Sequence, residues 1–107
     1  MTTTPQSEVL KLVALADYQA GAIVSRQISK SEGGNITLFA FDEGQELSEH
    51  TTPFEALVQV LDGEAQVTIS GKPFLVKAGE SILMPANYPH ALKAAKKFKM
   101  LLTMTRA

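Results

Sequence analysis

The chain has 107 residues, no cysteine and a net charge of −1, with a pI near 6.1. That length suits one domain. The missing thiols exclude disulfides, thiolate metal sites and cysteine nucleophiles, and the near-neutral balance argues against a nucleic-acid partner, which calls for a basic excess. At 45% hydrophobic and 20% charged, the sequence has apolar material for one core and too little charge for disorder. Residues 1–7 are polar and read as a frayed tail. The opening MTTTPQSEVLK has neither the basic nor the apolar region of a secretory signal, and no apolar run reaches the length of a membrane span. A cytoplasmic protein with no membrane association is the expectation.

Residues 9–15 form an apolar run that reads as a short strand or a helical turn, with a turn over 17–21. Residues 22–29 (AIVSRQIS) carry β-branched side chains and predict a strand. A turn signal, Glu32-Gly33-Gly34-Asn35, follows. Residues 35–41 alternate, with Ile36, Leu38 and Ala40 on one face and Thr37, Phe39 and Phe41 on the other. After a loop over 42–46 comes a stretch with a lone histidine, His50, broken at Pro53. Residues 56–61 predict a strand, Asp62-Gly63 a hairpin turn that needs positive φ, and 65–69 a returning strand. Gly71-Lys72 turns again. Residues 73–76 predict a short strand opened by proline, 81–84 another, and 85–89 a loop. Residues 90–94 are expected to pair forward with 98–105 across Lys96-Lys97. The lysines at 93, 96, 97 and 99 then surround a solvated hairpin tip and discourage edge pairing. Turns recur every roughly 8–12 residues, the mark of a sandwich or barrel. Closure removes exposed edges, so the expected fold is all-β, a jelly-roll barrel in a single domain spanning 1–107.

The two histidines, His50 and His90, each follow a glycine and each end or interrupt a strand. Gly44, five residues, His50, Thr51, Thr52, then Pro53 to Ala56 and six residues to Gly63 make one pattern. Gly79, five residues, Pro85, Ala86, Asn87, two residues and His90 make a second. These resemble the two motifs of the cupin superfamily over residues 34–105, and in detail the small single-domain bacterial cupins, most of unassigned function. The resemblance implies a double-stranded β-helix, a homodimer paired through one sheet and the N-terminal strand, and a small-molecule ligand. In metal-binding cupins, two histidines and a glutamate of the first motif join the histidine of the second around one divalent ion. By position, His50 and His90 remain, Thr52 stands at the second histidine, Ala56 at the glutamate, and Asn87 at the motif glycine. Asparagine tolerates the left-handed conformation better than most residues.

Two imidazoles are short of the three protein ligands of a catalytic metal site or the carboxylate of a facial triad. Glu55 neighbours the ligand position, but alternation sends it to the other face unless a bulge follows Pro53; Glu49 is also close. The expected pocket holds His50, Thr52, Ala56, Val58, Met84, His90 and Met100, an apolar cavity with a few polar groups. Met84, Met100 and Met104 read as core packing; a thioether beside the histidines would instead favour Cu(I). Two functions follow. One is a binding module for a small organic molecule. The other is a metal-dependent dioxygenase or isomerase, with a divalent ion on His50, His90 and an atypical ligand set.

Overall fold

The alternating stretches become strands because their apolar side chains recur every second residue and find a common interior. The structure, a computed structural model, describes residues 7–106; apart from Ser7, the polar tail lies outside the described residues. A 3-10 turn over Leu12–Ala14 precedes eight strands: β1 Ile23–Ser31, β2 Gly34–Phe41, β3 Glu46–His50, β4 Phe54–Ile69, β5 Lys72–Lys77, β6 Ser81–Met84, β7 His90–Lys93 and β8 Phe98–Arg106. All pairings are antiparallel, in the order β1-β2-β8-β4-β7-β3, with β5 and β6 also on β4. The fold is the expected all-β jelly-roll barrel. Among the described residues no helix is long and apolar enough to cross a membrane.

The 16-residue strand β4 organises the barrel. Its first part pairs with β8 and β6, and its last part, residues 64–69, with β5 and β7. The expected hairpin at Asp62-Gly63 is therefore absent: the strand continues through it. Val60 pairs with Met100 and Asp62 with Lys99, which leaves Leu61 as an extra residue in a bulge. One extra residue reverses the alternation. Ala56, Val58 and Val60 face the core before it, and Ala65 and Val67 after it. Gly63 has φ 75°, and a Cβ there would run into the Lys97 carbonyl oxygen and the Phe98 Cα. The loop before β6 takes up the backbone groups the bulge frees. Val60 N–H donates to the Glu80 carbonyl at 3.0 Å, Gly79 N–H to the Val60 carbonyl at 2.9 Å, and Ala78 N–H to the Gly63 carbonyl at 3.0 Å.

Two further expectations are corrected. The turn after β4 sits one residue earlier than read: Ile69 pairs with Lys72, and Ser70 (φ 50°) and Gly71 (φ 80°) make the two-residue loop. Positive φ at both central positions is what such a hairpin requires. Nor do β7 and β8 pair: β7 lies between β3 and β4, and β8 between β2 and β4. The lysines near this connection are thus not all at a solvated tip. Lys99 is 8% exposed, and its ammonium donates to the Val13 carbonyl at 2.6 Å.

The main core gathers Phe41, Ala56, Val58, Val60, Val67, Met84, Leu92, Phe98 and Met100 among others. Phe41 and Phe98 stack at 4.5 Å next to the bulge, where their large apolar rings fill the corner. A smaller cluster lies outside the sheet: Leu15, Ala16 and Tyr18 cover Leu38, Ala40, Leu61 and Leu101. Towards the end of β2, Leu38 and Ala40 are thereby buried on the outer face and Phe41 on the inner one. The Tyr18 hydroxyl donates to Asp62 at 2.6 Å, and the Lys97 and Lys99 ammonium groups lie 4.8 and 5.0 Å from the Tyr18 ring centre. Burial, with Asp62 beside it, pushes the Tyr18 hydroxyl well above its ordinary pKa. The apolar run read as strand or helical turn is thus a 3-10 turn leading into a clasp over the outer sheet.

Candidate functional site

The two histidine stretches meet because β3 pairs with β7. Glu46 faces Lys93 and Leu47 faces Leu92, then the register shifts so that His50 faces His90. The shift adds one residue on β3. Without it, alternation from Leu47, which packs on the core, would send residue 50 outward. The loop between β6 and β7 is tied at two points. Asn87 N–H donates to the Thr52 carbonyl at 2.8 Å, and Ser70 N–H to the Pro89 carbonyl at 2.8 Å. Asn87 has φ 68°, the left-handed conformation for which asparagine suits the motif glycine's position.

The two imidazole rings lie 4.4 Å apart, centre to centre, at 70°. His90 is 3% exposed and His50 is exposed at the surface. Each ring is oriented by its own backbone two residues earlier: the His50 Nδ1 is 2.9 Å from the Ser48 carbonyl oxygen and the His90 Nδ1 3.2 Å from that of Tyr88. A carbonyl only accepts, so each Nδ1 carries the hydrogen, and in the neutral ring Nε2 is left as a bare acceptor. Burial holds the His90 pKa below its ordinary value; the neighbouring His50 adds to this, and the Tyr88 carbonyl opposes it. These carbonyl tethers are invisible to a reading of side chains, since any residue at 48 or 88 supplies one.

The other expected pocket residues divide into two groups. Ala56, Val58, Met84 and Met100 are buried members of the main core. Ala56 pairs with Met84 and Met104, and Met100 with Val60 and Phe39. Met84 and Met100 are accordingly packing residues. Thr52 is half-buried, and its hydroxyl accepts from the Phe54 N–H at 3.3 Å. The histidine pair adjoins the core through Ile69, which pairs with His90, and Leu92. Two surface clefts lie elsewhere. One of about 780 Å³ is lined by Asp42, Asp62, Glu64, Lys77, Lys96 and Lys97 among others, and one of about 310 Å³ lies over Glu49, Gln66, Thr68 and Lys93; neither includes a histidine.

The residues present do not fit the four-ligand ion of metal-binding cupins. Position 52 offers a hydroxyl already used by the backbone, and position 56 an alanine 1% exposed in an apolar cluster. Glu55 follows the alternation of β4 to the face opposite Ala56. No group of three or more His, Cys, Asp or Glu among the described residues could hold a metal ion.

The family model described as Cupin domain matches residues 37–105. A conserved protein of unknown function from Streptococcus pyogenes is 34% identical, with a TM-score of 0.91 over 100% of this chain and 96% of that one. A Cupin 2 conserved barrel domain protein from Leptotrichia buccalis is 43% identical, with a TM-score of 0.89, over 91% of this chain but 47% of that one. A cupin superfamily protein from Desulfitobacterium hafniense is 26% identical, with a TM-score of 0.90 over 99% of this chain and 97% of that one. No curated protein matches the sequence. The family match and the barrel's paired histidine stretches agree, and the chain belongs to the cupin domain family.

Proposed function

We propose that this barrel is a binding module for a small organic molecule, seated where His50 and His90 meet, with no chemistry of its own. The observation that carries this reading is the contact of the two imidazoles, 4.4 Å apart, each oriented through Nδ1 and each with an uncommitted Nε2. A buried ring beside an exposed one gives a polar foothold at the edge of an apolar interior, the usual composition of a small-molecule site. A dioxygenase or isomerase built on a divalent ion would need further donors beside the pair, and the described residues do not supply them.

The test is metal titration of tag-free protein by calorimetry, beside a Thr52→His/Ala56→Glu variant. The natural protein is expected to bind Zn²⁺ or Mn²⁺ at least about a hundredfold more weakly than the variant, which restores four donors. Equal, tight binding by both would overturn the reading in favour of a complete natural metal centre.

A further inference from the structure

We infer that the His50–His90 pair is a double acceptor, which takes a ligand group that donates hydrogen bonds, such as an alcohol, an amine or an ammonium, and discriminates against a carboxylate or phosphate. The inference rests on the small-molecule reading above and narrows its ligand class.

The argument starts from the tethers. The Ser48 and Tyr88 carbonyls face the two Nδ1 atoms at 2.9 and 3.2 Å. Each can only accept, so both rings hold their hydrogen on Nδ1. A neutral imidazole has one N–H, and both Nε2 atoms therefore present lone pairs. Neither Nε2 has a hydrogen-bond partner among the described residues. An incoming carboxylate would set its own lone pairs against these, and one ring would have to take up a proton before it could bind. An O–H or N–H group meets the acceptors without any such change. Thr52, whose hydroxyl oxygen accepts from Phe54 N–H, is hydrogen-bonded to neither ring.

The experiment is long-range ¹H–¹⁵N NMR of the histidine side chains in uniformly labelled, tag-free protein, in metal-depleted buffer at pH 7.5. Three probes of similar size are titrated: erythritol, 1,2-diaminoethane and succinate. The free protein is expected to show hydrogen on Nδ1 and a bare Nε2 in both rings. Erythritol or 1,2-diaminoethane is expected to move both Nε2 resonances, and succinate to leave them in place. His50→Phe removes one acceptor at the exposed ring without opening the core, and should weaken the binding of the active donor probe about tenfold, as loss of one hydrogen bond does. Succinate moving both Nε2 resonances while the donor probes are silent would overturn the inference and leave the small-molecule reading standing. Hydrogen found on Nε2 in the free protein, or unchanged donor binding in His50→Phe, would also overturn it. Silence of all three probes would overturn the small-molecule reading itself, and this inference with it.

Discussion

His90 shows how one residue's surroundings set its chemistry. The ring lies on the inward face of β7, two residues before the buried Leu92, and is 3% exposed. Burial holds its folded-state pKa below the 6.5 of a free imidazole. Between those two values the unfolded chain carries a proton that the folded chain does not, so the unfolded state gains as pH falls. Stability is therefore expected to be unaffected by this group above pH 6.5 and to decline as pH drops through 6.5 towards the folded-state pKa. Urea unfolding at pH 7.5 and 5.5 measures this, since most carboxylates stay ionised over that range. A His90→Asn variant should lose less stability between the two pH values than the natural protein. An equal loss in both would assign the pH dependence to other groups. That each histidine ends or interrupts a strand was legible from the glycines and prolines around it, whereas their pairing was legible only through the resemblance to the cupin motifs. Their tautomer was not legible, because it depends on backbone carbonyls at Ser48 and Tyr88 rather than on a side chain.

At the scale of the element, the bulge in β4 decides the barrel's shape. Asp62-Gly63 between two apolar strands reads as a hairpin, and the side-chain pattern supports it: even-numbered residues face the core before it and odd-numbered ones after. A hairpin and a bulge both reverse that alternation and both favour positive φ, so local sequence cannot separate them. The distinction is tertiary: β8 runs past the site and pairs Lys99 with Asp62 and Phe98 with Gly63. The same gap explains the misread partner of β7. Neighbouring strands in sequence often pair, but the long β4 offers β7 and β8 separate edges. Strand positions were largely legible because periodicity is local, whereas partners depend on which edges remain open. Gly63 gives a test. Replacing it by alanine adds both the strain of φ 75° and a collision with the Lys97 carbonyl oxygen. Gly63→Ala should cost on the order of 3 kcal/mol in urea unfolding. Gly71→Ala, at φ 80° but with open space around it, should cost only about 1 kcal/mol, the conformational strain alone. Equal losses would mean that close approach of β8 is not what position 63 requires.

At the scale of the whole molecule, the outer face of the sheet containing β2, β4, β6 and β8 is incompletely covered. The clasp formed by Leu15, Ala16 and Tyr18 protects Leu38, Ala40 and Leu101. Beyond it, register places Leu83, Leu57, Thr103 and Ile36 in one row across β6, β4, β8 and β2. Leu83 is 52% exposed and Leu57 and Ile36 are half-buried, while Val13 at the clasp is 44% exposed. Aliphatic side chains aligned on one sheet face are the surface a second copy can bury. We propose that the protein is a homodimer paired across this row. Sedimentation equilibrium at micromolar concentration should then give twice the 11.5 kDa chain mass. Leu83→Lys puts an ammonium at the row's exposed end and its symmetry mate faces the same patch, so two like charges enter one interface. The variant should sediment as a monomer while keeping the strand-dominated circular dichroism of the natural protein. A natural protein that is monomeric at that concentration would remove the proposal. A dimer that survives Leu83→Lys would place the contact on another face, where the polar outer side of β3 and β7, with Glu46 opposite Lys93, would bind through ion pairs and weaken with salt.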